Sequence, residues 1–266
     1  MVAGMVARER GRVFGEVADE YDGVRPGYPD SLVDAVLAYA GAPRRIVEVG
    51  AGTGKATAAF ATRGGPSVPI HCVEPDPRMA MVLRDRLAEH PQVDVEVSQF
   101  EDWGPPADGV DLLYCAQAWH WVDAGTRWHR AHAALAPGGT IAIFGHTYDV
   151  VDREIESAMW EVHTRLRPDS STMAPPGPVD PERSWFSVDL ADSGLFTEPR
   201  ADVFHHVVSY STAAYLALVR TLSAYRMLVP AQRQVMRSAL GQLIDAHGGA
   251  VEIDLATVLA LGRRAP

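Results

Sequence analysis

Between Arg45 and Thr57 the chain reads RIVEVGAGTGKAT, an apolar β-branched run that carries a single acid, Glu48, and meets glycines at 50, 52 and 54. Such a run predicts a buried strand ending in a tight turn, because glycine reaches left-handed backbone angles and has no Cβ to hold a ligand away. The spacing narrows what the turn can hold. A dinucleotide fingerprint, G-x-G-x-x-G, needs its third glycine where Lys55 stands, and Gly54 comes one place early. A phosphate cradle needs four residues before Gly-Lys and a hydroxyl after it; here three residues separate Gly50 from Gly54, and Ala56 follows Lys55. What remains is an acid and G-x-G-x-G at the carboxyl end of a strand, where open α/β sheets bind ligands.

The surrounding pattern extends that strand into a sheet. RRIVEV, PIHCVE, VDVEVS, VDLLYCAQ and TIAIFGH alternate with helix-spaced stripes at Leu32/Val33/Val36/Leu37, Met79/Leu83/Leu87 and Trp128/Ala131/Leu135. Strands and helices in alternation predict a parallel sheet covered on both faces, with right-handed crossovers. Asp76-Pro77 predicts a helix start, and the APGG at 136–139 a helix end before the fifth strand. After residue 146 the alternation stops. A helix stripe (Ile155, Met159, Val162, Leu166) runs into a loop with five prolines between 168 and 181, either a cover or a plain connector. The last third offers a strand, ADVFHHVVSYS, helices around 212–227 and 231–247, and a final run VEIDLATVLALGRR whose pairing would be antiparallel at the sheet edge. The expected fold is α/β: a doubly wound, mostly parallel seven-stranded Rossmann-like sheet with an antiparallel C-terminal strand and a helical lid. Four segments follow: an N-terminal lid segment (1–30), the core (31–146), a lid insertion (147–200), and C-terminal strands and helices completing the sheet (201–266).

With 34 acidic against 24 basic residues and a net charge of −10, the chain lacks the clustered cations a nucleic acid or anionic membrane would require. No run reaches eighteen apolar residues, and the segment before Arg8 has no long apolar stretch, so neither export nor a membrane span is expected. Cys72 and Cys115 sit in apolar runs and read as unpaired buried thiols, which fits a cytoplasmic protein.

The glycine turn resembles that of class I S-adenosylmethionine-dependent methyltransferases, and the likeness continues in HCVEPDPRM, SQFEDW, DLLYCAQAWHWVD and LAPGGTIAIFGH, in that family's order. FGEVADEYDGVRPGYP is similar to a subgroup of small-molecule methyltransferases that includes trans-aconitate methyltransferase relatives. The resemblance implies S-adenosyl-L-methionine as cofactor and a small-molecule acceptor. It implies the amino-acid tail at Gly50, Ala51, Gly52 and Gly54 with Glu48 towards its ammonium, the ribose at Glu74 beside Pro75, and the adenine near Gln99, Phe100 and Glu101. Ala116 and Gln117 would border the cofactor, and Tyr21, Arg25 and Tyr28 would close over it, Arg25 meeting a carboxylate.

Methyl transfer from a sulfonium is an in-line displacement by an activated donor, so alignment in a water-poor pocket is the main requirement, without a metal. A hydroxyl or protonated amine needs a base, and His120, past the fourth strand, is the candidate. Its alternative is a packed residue between Trp119 and Trp121. Glu101 and Asp102 could be a solvated pair, Lys55 should point to solvent, and His129 with His132 lacks the partners that would complete a metal site. Four tryptophans between 103 and 128 suggest an aromatic-lined acceptor pocket or simply core, and Thr221, Ser223, Tyr225 and Arg226 are either substrate-facing or a packed helix. The alternative function is a non-methylating cofactor-binding protein.

Overall fold

In the computed structural model, residues 22–166 and 179–265 are described. Tyr21 and most of the proline-rich loop lie outside them. The elements are α1 (Asp30–Ala40), β1 (Ile46–Val49), α2 (Lys55–Gly64), β2 (Ile70–Val73), α3 (Pro77–Arg86), β3 (Val93–Glu96), β4 (Val110–Ala116), α4 (Arg127–Ala134), β5 (Leu135–His146), β6 (Asp149–Val150), α5 (Arg153–Leu166), α6 (Trp185–Asp192), β7 (Phe196–Phe204), β8 (Val207–Ser211), α7 (Thr212–Arg220), α8 (Ser223–Arg226), α9 (Pro230–Ala246), β9 (Ala250–Asp254) and β10 (Thr257–Arg264).

Seven strands form one sheet in the order β3-β2-β1-β4-β5-β10-β7. The first five are parallel, and β10 pairs antiparallel with both β5 and β7. Alternate residues feed two cores. Val47, Val49, Leu113, Cys115, Ile141 and Ile143 pack with Trp128 of α4 and Phe186 of α6, while Ile46, Leu112, Tyr114, Ala142 and Phe144 pack with Leu32 of α1 and Phe60 of α2. Burial on both faces explains why these strands read as continuous apolar runs. The strand order reverses between β1 and β4, so their following turns open a crevice at the carboxyl edge of the sheet.

A second sheet, β6-β9-β8, is antiparallel and shares a separate core with α5, α7, α8 and α9, where Met159, Leu218, Tyr225, Leu240 and Ile253 are buried. It overturns two readings. ADVFHHVVSYS is two strands, because His205-His206 marks where the chain leaves the first sheet (β7) for the second (β8). VEIDLATVLALGRR likewise breaks at Leu255-Ala256 into β9 and β10, which belong to different sheets. Asp76 does cap α3, its side chain accepting from Arg78 N–H with Pro77 in the first turn. The APGG segment is not a helix end: α4 stops at Ala134 and β5 already includes it, with a register shift against β4.

Candidate functional site

The turn after β1 is shaped by contact. Gly50 has φ 69°, and a Cβ built there would lie 2.4 Å from Ala118 Cβ, so the turns after β1 and β4 touch where only glycine fits. Gly50 N–H donates to Val73 O at 2.8 Å, which ties the turn to β2. Glu74, at the end of β2, accepts from Gly52 N–H (2.7 Å) and from Asp76 N–H (2.8 Å). Glu48 is 1% exposed, and its Oε2 accepts from Thr57 Oγ1 (2.5 Å) and from the Tyr114 hydroxyl (2.7 Å). Burial pushes both carboxyls up to about 7. The Thr57 and Tyr114 hydrogen bonds pull Glu48 down and Glu74 adds repulsion; the Asp76 and Gly52 amides pull Glu74 down.

Three cavities meet at this edge. A cleft of about 400 Å³ runs past Gly50, Gly52, Glu74, Pro75, Gln99, Phe100, Glu101, Ala116, Gln117 and His120, and is covered from the second unit by Tyr148, Leu222, Ser223 and Ala224. It continues into a recess of about 50 Å³ bounded by Arg25, Tyr28, Glu48, Ala51 and Lys55. A chamber of about 590 Å³ lies beside them, lined by Trp119, Phe144, His146, Arg183, Trp185 and Phe186 among others. Gln117 and His120 line both cleft and chamber, and Gln117 and His146 line both recess and chamber.

Most of the residues singled out from the sequence therefore come together, with adjustments. Gly54 lines none of these cavities; at φ 81° it caps α2 and packs against α3, where a Cβ would sit 3.0 Å from Leu83 Cγ. Lys55 does not point freely to solvent: it is half-buried at the recess, and desolvation lowers its pKa. Phe100 is buried between Trp103 and Trp119, with ring centroids 6.0 Å from each, and presents an apolar wall. Glu101 accepts from Asp123 N–H at 2.8 Å and so pins the loop after β4; Gln99 contacts Asp102 at 3.5 Å. Arg25 reaches the second unit, donating from Nε to Thr221 Oγ1 (2.9 Å), from Nη2 to Thr221 O (3.0 Å) and from Nη1 to the Tyr148 hydroxyl (3.0 Å). Thr221 is fully buried in that contact, whereas Ser223 lines the cleft, and Tyr225 and Arg226 face away towards a separate surface cavity.

Gln117 adopts φ 61°, its N–H donating to Phe144 O at 2.8 Å, and a Cβ on Gly145 would come 3.1 Å from Gln117 Oε1. His120 stands exposed at the rim in a short 3-10 turn, 4.4 Å from the Trp121 ring. Partial burial and the charge of Arg127 lower its pKa, so it is neutral at pH 7. Trp103, Trp119 and Trp128 are core residues, while Trp119, Trp121 and Trp185 also reach cavity walls. His129 is exposed and His132 packs edge-on against Phe196 at 5.7 Å; among the described residues no group of three His, Cys, Asp or Glu could hold a metal ion. Nor is any helix among them long and apolar enough to cross a membrane.

His146 was not legible as a site residue. It ends β5, its Nδ1 lies 2.6 Å from Thr257 Oγ1, and Tyr28 stacks on it at 4.6 Å. Burial and the Arg25 charge push its pKa down to about 4. The sequence shows only a histidine at a strand end; its partner is 111 residues away.

Comparison with known proteins finds likenesses centred on this edge. Residues 46–139 match a family described as a methyltransferase domain. An uncharacterized methyltransferase of Mycobacterium tuberculosis is 34% identical over 142 residues, 53% of this chain and 55% of the relative. A trans-aconitate 2-methyltransferase of Variovorax paradoxus is 36% identical over 100 residues, 37% of each chain. A solved structure from Anaeromyxobacter dehalogenans, described as a type II methyltransferase, aligns with TM-score 0.64 at 23% identity, covering 91% of this chain and 99% of that one. Phosphoethanolamine N-methyltransferase 2 of Haemonchus contortus, with phosphomonomethylethanolamine and S-adenosylhomocysteine, aligns at TM-score 0.54 and 11% identity, covering 95% and 58%. Residues 46–139 are thus similar to a methyltransferase domain, and the fold is that of these solved methyltransferase structures. The chain spans about half the length of the Mycobacterium relatives.

Proposed function

We propose that this protein transfers a methyl group to an oxygen, a nitrogen or a carboxylate of a small molecule seated in the 590 Å³ chamber. The observation that carries this reading is the wall of Gln117 and His120 shared between the glycine-turn cleft and that chamber. When bound, S-adenosylmethionine supplies an electrophilic methyl on a sulfonium. Its tail fits the recess: Glu48 offers a buried carboxylate and Gly50 leaves room, whereas the described lining has no nest of amides and lysine spaced for a triphosphate. Glu74 has two backbone N–H partners that position it for ribose hydroxyls, and Phe100 walls the adenine end.

The chain's own work is alignment and desolvation. Gln117, held in a left-handed turn, borders the passage between cleft and chamber, and Arg25, Tyr148 and the Leu222–Ala224 stretch keep water from the cofactor side. Bound there, the cofactor would present its sulfonium methyl to the acceptor lone pair, its sulfur keeping the C–S electron pair, with Gln117 and His120 bordering the passage between them. A hydroxyl acceptor then gives its proton to the neutral His120 ring, which stands at that passage; a carboxylate needs no such step.

The test is methyl transfer from labelled S-adenosylmethionine to a broad acceptor panel, with His120→Ala alongside. Transfer to at least one small molecule, reduced 10²-fold or more by His120→Ala for hydroxyl acceptors and spared for carboxylates, is expected. Tight S-adenosylhomocysteine binding with no acceptor methylated would favour a non-catalytic binding protein instead.

A further inference from the structure

The chamber's lining carries more information than its position. Of its charged side chains, the described residues supply Arg183 and Asp180, which face each other at 4.0 Å and leave no net charge. Of its two imidazoles, His146 is uncharged at neutral pH because burial disfavours its cation, and partial desolvation with the Arg127 charge lowers the pKa of His120. An acceptor with several carboxylates would bring two or three negative charges into a space where the described residues offer one guanidinium, itself 4.0 Å from a carboxylate, to receive them. The rest of the lining is mostly apolar and aromatic, and one member is unusual. Trp185, the first residue of α6, is 43% exposed although its ring borders the chamber. It is held there: the Arg127 guanidinium lies 4.8 Å from its ring, and Arg127, only 7% exposed, donates to Asp189 Oδ2 (2.6 Å) and to Trp119 O (3.3 Å). An exposed indole fixed by a buried cation is a ready surface for another ring. His146 also lines the chamber, but its Nδ1 is engaged by Thr257 and its Nε2 is enclosed, with the Gly27 backbone beside the ring.

We infer that the acceptor is a largely apolar, ring-bearing compound with at most one carboxyl, its ring against Trp185. The inference rests on the reading of the chamber as the acceptor site. Trp185 sets specificity by stacking, in the chamber whose passage to the cleft Gln117 and His120 border.

The test uses the whole chain saturated with S-adenosylhomocysteine and three probes: 3-phenylpropionate, butyrate and citrate. Calorimetry is expected to give 3-phenylpropionate at least ~10-fold tighter than either of the others. Trp185→Ala is expected to remove that advantage while leaving S-adenosylhomocysteine affinity unchanged, since Trp185 does not border the cleft. Citrate binding as tightly as the aromatic probe, no probe binding to the loaded protein, or an unchanged affinity in Trp185→Ala would overturn the inference while the cofactor reading stands. Failure of the wild-type chain to bind S-adenosylhomocysteine at all would sink both.

Discussion

Gly50 is the residue on which the site's geometry turns, since any side chain there must displace Ala118 from 2.4 Å and hold φ 69°. Gly50→Ala should therefore destabilise the fold by roughly 1–3 kcal/mol and abolish cofactor-analogue binding, read by urea unfolding and calorimetry. This much was legible, because glycine spacing records backbone requirements directly. The state of Glu48 was not, because the acid's hydroxyl partners, Thr57 and Tyr114, come from α2 and β4. Its carboxyl, raised from 4.5 to about 7 by burial, is protonated in the native state and ionised in the unfolded one over that interval. The native state then holds the extra proton, so this contribution to stability is complete below pH ~4.5 and is lost as pH rises through about 7, on the order of 3 kcal/mol in all. Glu48→Gln keeps an acceptor for both hydroxyls and should reduce the fall in melting temperature between pH 5 and 8, the remainder coming from Glu74, whose carboxyl is likewise raised to about 7. An ammonium placed beside Glu48 favours its carboxylate, so S-adenosylhomocysteine uptake near pH 6 should release protons, measured as a buffer-dependent calorimetric heat. Equal heats in buffers of different ionisation enthalpy would remove Glu48 from the binding site.

Among elements, the parallel strands could be read because burial on both faces leaves continuous apolar runs, and β1, β2 and β4 fall within a residue or two of expectation. The second sheet could not. Its β6 has two residues, and β8 and β9 follow and precede strands of the first sheet with no glycine or proline to separate them. Nothing local records that a chain changes sheets. The edge strand β7 shows the converse: Glu198 at φ 52° and Pro199 interrupt its outer rim, a device that discourages strand addition. Arg25 is the joint between these parts, bonding the N-terminal segment to Tyr148 after β5 and to Thr221 at the end of α7. A lysine has one ammonium and cannot span three acceptors arranged as a fork. Arg25→Lys should lower the melting temperature by ~2–4 °C and weaken S-adenosylhomocysteine binding by about tenfold, checked by scanning calorimetry and titration.

At the scale of the whole molecule, the chain builds two hydrophobic units, the doubly wound sheet and the β6-β9-β8 sheet with its helices, and the cleft lies between them. Gly50, Glu74 and Phe100 line it from one unit, and Tyr148, Leu222 and Ser223 from the other. A ligand filling the cleft removes water from both walls and stabilises the state in which they face each other, so its binding energy is shared by both units. At a hundred times its dissociation constant S-adenosylhomocysteine should add about 2.7 kcal/mol, which for a chain of this size corresponds to a rise in melting temperature of roughly 5–10 °C. Amide exchange should slow in the Gly50–Gly54 turn and, by the same binding event, at Leu222–Ala224, although these segments are far apart in sequence. ATP and NADH, whose phosphates the glycine spacing does not suit, should produce neither effect. Protection confined to the glycine turn would mean that the second unit does not close on the cofactor, and the water exclusion assigned to Arg25 and Tyr148 would then have to come from elsewhere.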